Sequence, residues 1–317
     1  MASDAETAAA GGPLELPRPS WRARTREIRF AALLLIPSVV VVFGIVIYPI
    51  LRTLYTSFYD INSPFPGSYP FVGLHNYTDA LGNPDFWSAV KRTAYFTIVS
   101  TGLELVFGLG IALLLNAPLR ARWLFRSIVV LPWALPTIVN GALWRYVYNA
   151  QYGVLNAILT QVGLQNHYHA WLNSQTFALN GVIFADVWKN TSLVAFLLLA
   201  GLTTIPRELY EAAKVDGVSA WQAFWRITLP MLKPAIVVVL VLRTIEAFKV
   251  FDIIYVMTRG GPANGTQSVA LYTYQQAFSN ELFGYGAALA TLIVVFIAAF
   301  AIVYMRAIRS EDTAMGW

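Results

Sequence analysis

Residues 211–230 read EAAKVDGVSAWQAFWRITLP and stand between two apolar runs, 177–202 and 234–256. Glu208 to Val215 favours helix, Asp216-Gly217 offers a turn, and Ser219 can cap a second helix running toward Ile227. Pro230 and Pro234 then delimit the start of the next run. The whole connection, about 30 residues, exceeds ordinary helix–helix links and implies structure of its own. It reads as a protruding hook of two short helices joined at Gly217, with Trp221, Phe224 and Trp225 expected to pack it against the ends of the long helices.

The flanking runs set the solvent. In 317 residues, 57% hydrophobic against 12% charged, with a mean hydropathy of +0.56, describes a membrane protein rather than one or two soluble domains. A spanning helix needs roughly 20 apolar residues to cross a ~30 Å hydrocarbon core. Residues 30–51 and 284–305 carry no charge, and 93–115, 127–148, 177–202 and 234–256 carry few. Six spans follow, and the fold class is an all-α integral membrane protein with a two-helix loop. The first run is longer than the ~7–15-residue core of a secretory signal and lacks a small-residue cleavage site, so it stays as helix one.

Lys and Arg sort by side. Arg18, Arg22, Arg24, Arg26 and Arg29 precede the first span, and Arg120, Arg122 and Arg126 lie between the second and third. Arg207, Lys214, Arg226 and Lys233 occupy the hook, and Arg306 with Arg309 follows the last span. Residues 53–90 and 146–187 contain no Lys or Arg and form the poor side. The excess marks the cytoplasmic side, which places both termini and the hook inside a plasma membrane. This sorting accounts for the net charge of +5 without nucleic acid. Residues 1–29 are then a cytoplasmic tail, ending in a basic surface helix over 21–30. Residues 30–306 form the six-helix transmembrane domain with its loop at 205–233, and 307–317 a second tail.

The pattern E-A-A, three residues, Gly, nine residues, Ile-x-Leu-Pro resembles the coupling loop of permease subunits from ATP-driven, binding-protein-dependent importers. FVGLHNY from Phe71, LPWALPTIVNGALW from Leu131, DVWKNTSLVAFLLLAGL from Asp186 and FDIIYVMTRGGPANGTQSVALYTYQQAF from Phe251 resemble the maltose-permease F type of the carbohydrate-uptake family, so the likeness runs from about Ala31 to Met305. It lacks that type's extra N-terminal spans and large external insertion, so maltose itself is not implied. The resemblance implies a type I importer fold, with Glu211, Ala212, Ala213, Gly217, Ile227, Leu229 and Pro230 coupling to an ATPase. It also implies a second permease subunit of the complementary G type, two ATPase subunits that hold ATP and Mg, and an external solute-binding protein. This chain binds no cofactor of its own in that scheme.

Charges inside spans cost about 2.5–3.5 kcal/mol each on insertion scales and mark interior or functional positions. Arg243, Glu246, Lys249 and Asp252 are spaced by three with alternating sign, a ribbon winding round the fifth span. Lys189 can pair with Asp186 in the fourth span, and Glu104 stands isolated in the second. Asn140, Trp144 and Tyr148 share one stripe of the third span, suited either to packing or to sugar binding through an amide and stacked rings. Lys189, Glu246, Lys249 and Asp252 join that stripe as candidate pathway residues. His167 and His169 on the external side read as a solvated loop rather than a metal site.

Asn83-Pro84-Asp85 reads as a helix-start signal, with Phe86 and Trp87 in an interfacial belt over a segment lying flat on the membrane. Cysteine is absent from the sequence, which removes disulfides and thiolate metal sites. The sequence contains no G-x-x-x-x-G-K-[ST], G-x-S-x-G or H-E-x-x-H. The expectation is a non-catalytic subunit that borrows its energy and carries a di- or oligosaccharide, such as trehalose or a maltose-like glucoside. A glycerol phosphate or polyol is the alternative cargo. An ion-gradient transporter, or a membrane enzyme using Glu246 and Asp252, is the alternative of another class.

Overall fold

The computed structural model describes residues 21–62, 67, 69–118 and 120–312. The expected tail over 1–20 and the last residues, 313–317, lie outside them. The first unit, up to Arg52, is helical from its first described residue: α1 (Trp21–Val41) passes through a π turn at Val42–Ile47 into α2 (Tyr48–Thr56). Residues 21–30, expected as a surface helix, are helical and continuous with the apolar run that follows. Over Ala32–Thr56 the helix is long and apolar enough to cross a membrane, and none of its apolar window is buried.

The second unit begins at Thr53. A short helix α3 (His75–Gly82) leads directly into α4 (Pro84–Asn116). Asn83 accepts the Asp85 N–H at 2.8 Å through its side chain, and Pro84 occupies the first turn where no N–H is needed. The helix starts nine residues before the expected span, so residues 84–92 continue α4 rather than forming a separate segment. Phe86 is buried with Phe248, Tyr272 and Leu289 rather than set in an interfacial belt.

The third expected span is two helices. α5 (Arg122–Ala134) and α6 (Thr137–Val147) meet at 92°. Leu135 is extended (φ −72°, ψ 133°), as a residue before proline prefers, and Pro136 has no N–H to continue the ladder. α7 (Val154–Gln161) follows, and then α8 (Gln175–Thr203), the most enclosed of the long helices. α4 and α8 pack side by side, with Gly108 allowing the close approach and Ala112, Leu115, Val194, Leu198 and Leu202 filling the seam.

The hook forms α9 (Arg207–Val215) and α10 (Ala220–Ala223). Gly217 has φ +72°, and Val218 N–H donates to Ala213 O at 2.9 Å, the Schellman closure that glycine permits. Ser219 and Gln222 cap each other reciprocally at the start of α10. The second helix does not stop at Pro230. A π turn at Phe224–Thr228 carries it into α11 (Leu229–Phe248), giving one helix from Ala220 to Phe248. Proline is tolerated here because Pro230 sits in the first turn of α11, just past the widened π turn.

The fifth expected span ends early. α11 stops at Phe248, Lys249 to Phe251 leave helical geometry, and α12 (Asp252–Met257) begins after them. Ser268 Oγ donates to Val250 O at 2.6 Å, satisfying a carbonyl that the break exposes. The turn around Gly260-Gly261-Pro262 leads to α13 (Val269–Tyr274) and then to α14 (Phe283–Asp312), which continues past the expected end of the sixth span. Among the described residues, five helices are long and apolar enough to cross a membrane, or six if the bent α5–α6 pair counts as one span.

Candidate functional site

At the α11–α12 break a cavity of ≈ 500 Å³ opens between α5, α6, α8, α11 and α12. That lies within the ~300–1,000 Å³ typical of small-molecule sites. Its wall carries Asp186, Glu246 and Asp252 against Lys189, Arg243 and Lys249, with Asn190, Thr137, Trp133 and Phe251 between them. The break turns a ribbon that an unbroken helix would have wound away into one wall, so Lys189, Glu246, Lys249 and Asp252 are brought together.

Arg243 organises the deepest part. Its Nε and Nη2 donate to Glu104 Oε2 and Oε1 at 2.6 and 2.9 Å, a fork across 139 residues of sequence. Nη2 also donates to Asp186 Oδ2 at 3.2 Å, and Nη1 to Glu246 Oε2 at 2.6 Å. Glu104 is fully buried and does not line the cavity, whereas Glu246 is exposed on its wall. Glu104 is thus not isolated, which corrects the expectation: its partner lies on α11, beyond the reach of any local pattern.

The expected Asp186–Lys189 contact is replaced by two others. Lys189 Nζ donates to Thr137 Oγ1 at 2.7 Å, at the start of α6, and Asn190 Nδ2 donates to Asp186 Oδ1 at 2.9 Å. Thr137 stands directly after the proline that breaks the span, and Asn190 is one turn from Asp186. Neither stood out in the sequence, although the proline and the i, i+4 spacing were the signals available.

The stripe Asn140, Trp144, Tyr148 does not line the cavity. Asn140 is fully buried and donates to Ala185 O at 3.0 Å. Trp144 packs on Tyr148, Phe184 and Trp188, and Tyr148 donates to Gly181 O at 3.4 Å. The stripe joins α6 to α8 and fixes the bend beside the cavity.

On the hook, Glu211 and Ala212 are exposed while Ala213 is buried. Ile227 and Tyr210 pack on the cluster of Leu198, Leu199, Leu202, Ile205 and Leu232, Leu229 is half-buried, and Pro230 is exposed. Tyr210 and Thr228 share a hydrogen bond at 2.9 Å that ties α9 to the π turn. Trp221 and Trp225 are 69% and 51% exposed and pack on Phe224 and each other. Their expected role as the hook's root is corrected, because Ile227 and Tyr210 fill it. His169 packs on Trp171 and Phe177, and no cluster of His, Asp or Glu suited to a metal occurs among the described residues.

Residues 104–310 match the family described as binding-protein-dependent transport system inner membrane component. Over 286 residues the chain is 41% identical to the trehalose/maltose transport system permease protein MalF of Thermococcus litoralis, covering 90% of this chain and 95% of that one. It is 40% identical over 298 residues to the sulfoquinovosyl glycerol transport system permease protein SmoG of Agrobacterium fabrum, covering 94% and 96%. The trehalose transport system permease protein SugA of Mycobacterium tuberculosis is 36% identical over 284 residues, 90% of each. In fold, the chain is similar to a bacterial ABC transporter involved in the import of the acidic polysaccharide alginate, with a TM-score of 0.79 at 22% identity, covering 92% of this chain and 98% of that one.

Proposed function

Because this chain belongs to the family of binding-protein-dependent transport system inner membrane components, we propose that it is the permease subunit of an ATP-driven importer for an uncharged di- or oligosaccharide. One observation carries the reading: a single helix, Ala220–Phe248, bears the second half of the hook at one end and Arg243 and Glu246 of the cavity at the other. Energy delivered to the hook therefore reaches the cargo site along continuous backbone.

The cavity suits sugar. Carboxylates of the wall, Lys189, Lys249 and the Asn190 amide offer acceptors and donors to hydroxyls that need both, and Trp133 and Phe251 offer apolar faces. The names of the relatives support a carbohydrate, trehalose or a maltose-like glucoside. In this mechanism both termini and the hook face the cytoplasm, and two ATPase subunits holding ATP and Mg dock on the face with Glu211 and Ala212. A second permease subunit completes the pathway, and a solute-binding protein delivers sugar to the opposite mouth. Closure of the ATPase pair moves the hook, and the helices around the cavity shift between outward and inward access.

The test is uptake of labelled trehalose and maltose by proteoliposomes holding the four-subunit membrane complex and binding protein. Uptake that requires ATP and survives collapse of ion gradients is expected. Uptake without any ATPase subunit, driven by a proton or sodium gradient, would establish the secondary-transporter reading instead.

A further inference from the structure

Four acidic and three basic side chains meet at the cavity, but one of the acids is out of a ligand's reach. Glu104 is fully buried on α4, does not line the wall, and holds Arg243 in a two-bond fork at 2.6 and 2.9 Å. Two further Arg243 bonds go to Asp186 and Glu246. Four of its five N–H donors are committed, and the side chain is only 3% exposed. A ligand therefore meets the wall acids Asp186, Glu246 and Asp252 with Lys189 and Lys249 as the accessible cations.

We infer that Glu104 is a specificity-determining residue that never touches cargo: by claiming Arg243 it leaves the cavity with a net charge of −1 and so selects uncharged over anionic saccharides. The inference rests on the proposed transport of sugar through this cavity. Charges in a space lined by protein are weakly screened, and a unit charge acting over ~10 Å at an effective dielectric constant near 20 changes affinity by about tenfold. Removing the Glu104 charge brings the sum to zero, and a Gln there leaves one of the two guanidinium donors without its carboxylate partner. Nη1 of the same guanidinium holds Glu246, so the acid that a ligand does meet is positioned through Arg243 by one that it does not.

The test is equilibrium binding to the assembled membrane complex in nanodiscs, without the binding protein, so that the partner's own selectivity does not enter. The probes are radiolabelled maltose and glucuronosyl-glucose, a disaccharide with one primary hydroxyl oxidised to a carboxylate. Wild type is expected to bind maltose and to discriminate against the uronate. Glu104→Gln, nearly isosteric, is expected to shift the ratio of the two Kd values toward the uronate by about tenfold. Glu104→Asp keeps the charge and is expected to keep the wild-type ratio, which a merely structural role would not distinguish from Gln. An unchanged ratio in an assembled Glu104→Gln complex overturns the inference.

If Glu104→Gln does not assemble, Glu104→Gln/Arg243→Gln removes both members of the pair. Its accessible wall charge equals that of wild type, so the ratio should be preserved. A ratio that falls further against the uronate would mean that Arg243 itself reads the ligand, and would overturn masking. Wild type that binds neither probe would instead count against the cavity as the sugar site.

Discussion

Gly108 of α4 faces Val194 of α8 so closely that a Cβ on the glycine would stand 2.5 Å from Val194 Cγ1. The contact lies one turn from Glu104 and sets the separation of α4 from α8, the helix that brings Asp186 to the same Arg243. Gly108→Val should force α4 and α8 apart at a cost of about 1–3 kcal/mol or more, as overpacking of a filled seam does. The purified complex should melt earlier and bind maltose more weakly. A melting temperature equal to wild type would show that the seam yields freely.

Gly217 has open space around its missing Cβ, so a substitution there meets no neighbour. Its φ of +72° is the obstacle, and a β-branched residue in that region costs about 1–2 kcal/mol. Gly217→Val should therefore distort the turn between α9 and α10 without loosening the long helices. Sugar-stimulated ATP hydrolysis by the reconstituted complex is expected to drop several-fold while its melting temperature holds. Normal coupling in this variant would mean that the hook's angle carries no signal.

Glu211 stands exposed on α9. Glu211→Lys reverses the charge offered to a docked ATPase and should reduce recovery of the ATPase subunits on purification through this chain, more so at low salt. Equal recovery and unchanged stimulated hydrolysis would remove Glu211 from the contact.

Lys189 links the cavity wall to the first residue of α6 through Thr137 at 2.7 Å. Lys189→Met keeps the stem's bulk but loses a charged donor, an interaction worth about 1.5–3 kcal/mol. The KM for trehalose uptake should rise at least about tenfold, with the ATPase subunits still bound. A lowered kcat at unchanged KM would instead place Lys189 in the conformational step.

The hook is legible in the amino-acid sequence because its signals are local. A helix-favouring run, an Asp-Gly turn and a Ser cap with Gln three residues on each act within one or two turns of backbone. Charge at every third residue from 243 to 252 likewise marks the cavity's richest segment. Pairing and breakage are what the sequence hides. Glu104 finds Arg243 through the packing of α4 on α11, which no periodicity encodes. The break after Phe248 occurs at Lys-Val-Phe, with neither glycine nor proline, and depends on Ser268 arriving from elsewhere to take Val250 O. Asn140, Trp144 and Tyr148 show the converse: a shared face is legible, but a helix face packed on α8 and one lining a cavity have the same period. Pro136 does carry the α5–α6 bend, yet the apolar run around it is unbroken, and length alone favours one span.

The helix from Ala220 to Phe248 has 29 residues, or about 43 Å at the usual rise. Carried through its π turn without a joint, such a rod stores little of a displacement applied at one end and hands most of it on. The compliance sits at the far end, in the three non-helical residues Lys249, Val250 and Phe251. A torque on the hook thus becomes a change of pitch between α11 and α12, and the side chains that close the cavity are mounted on both arms of that crank.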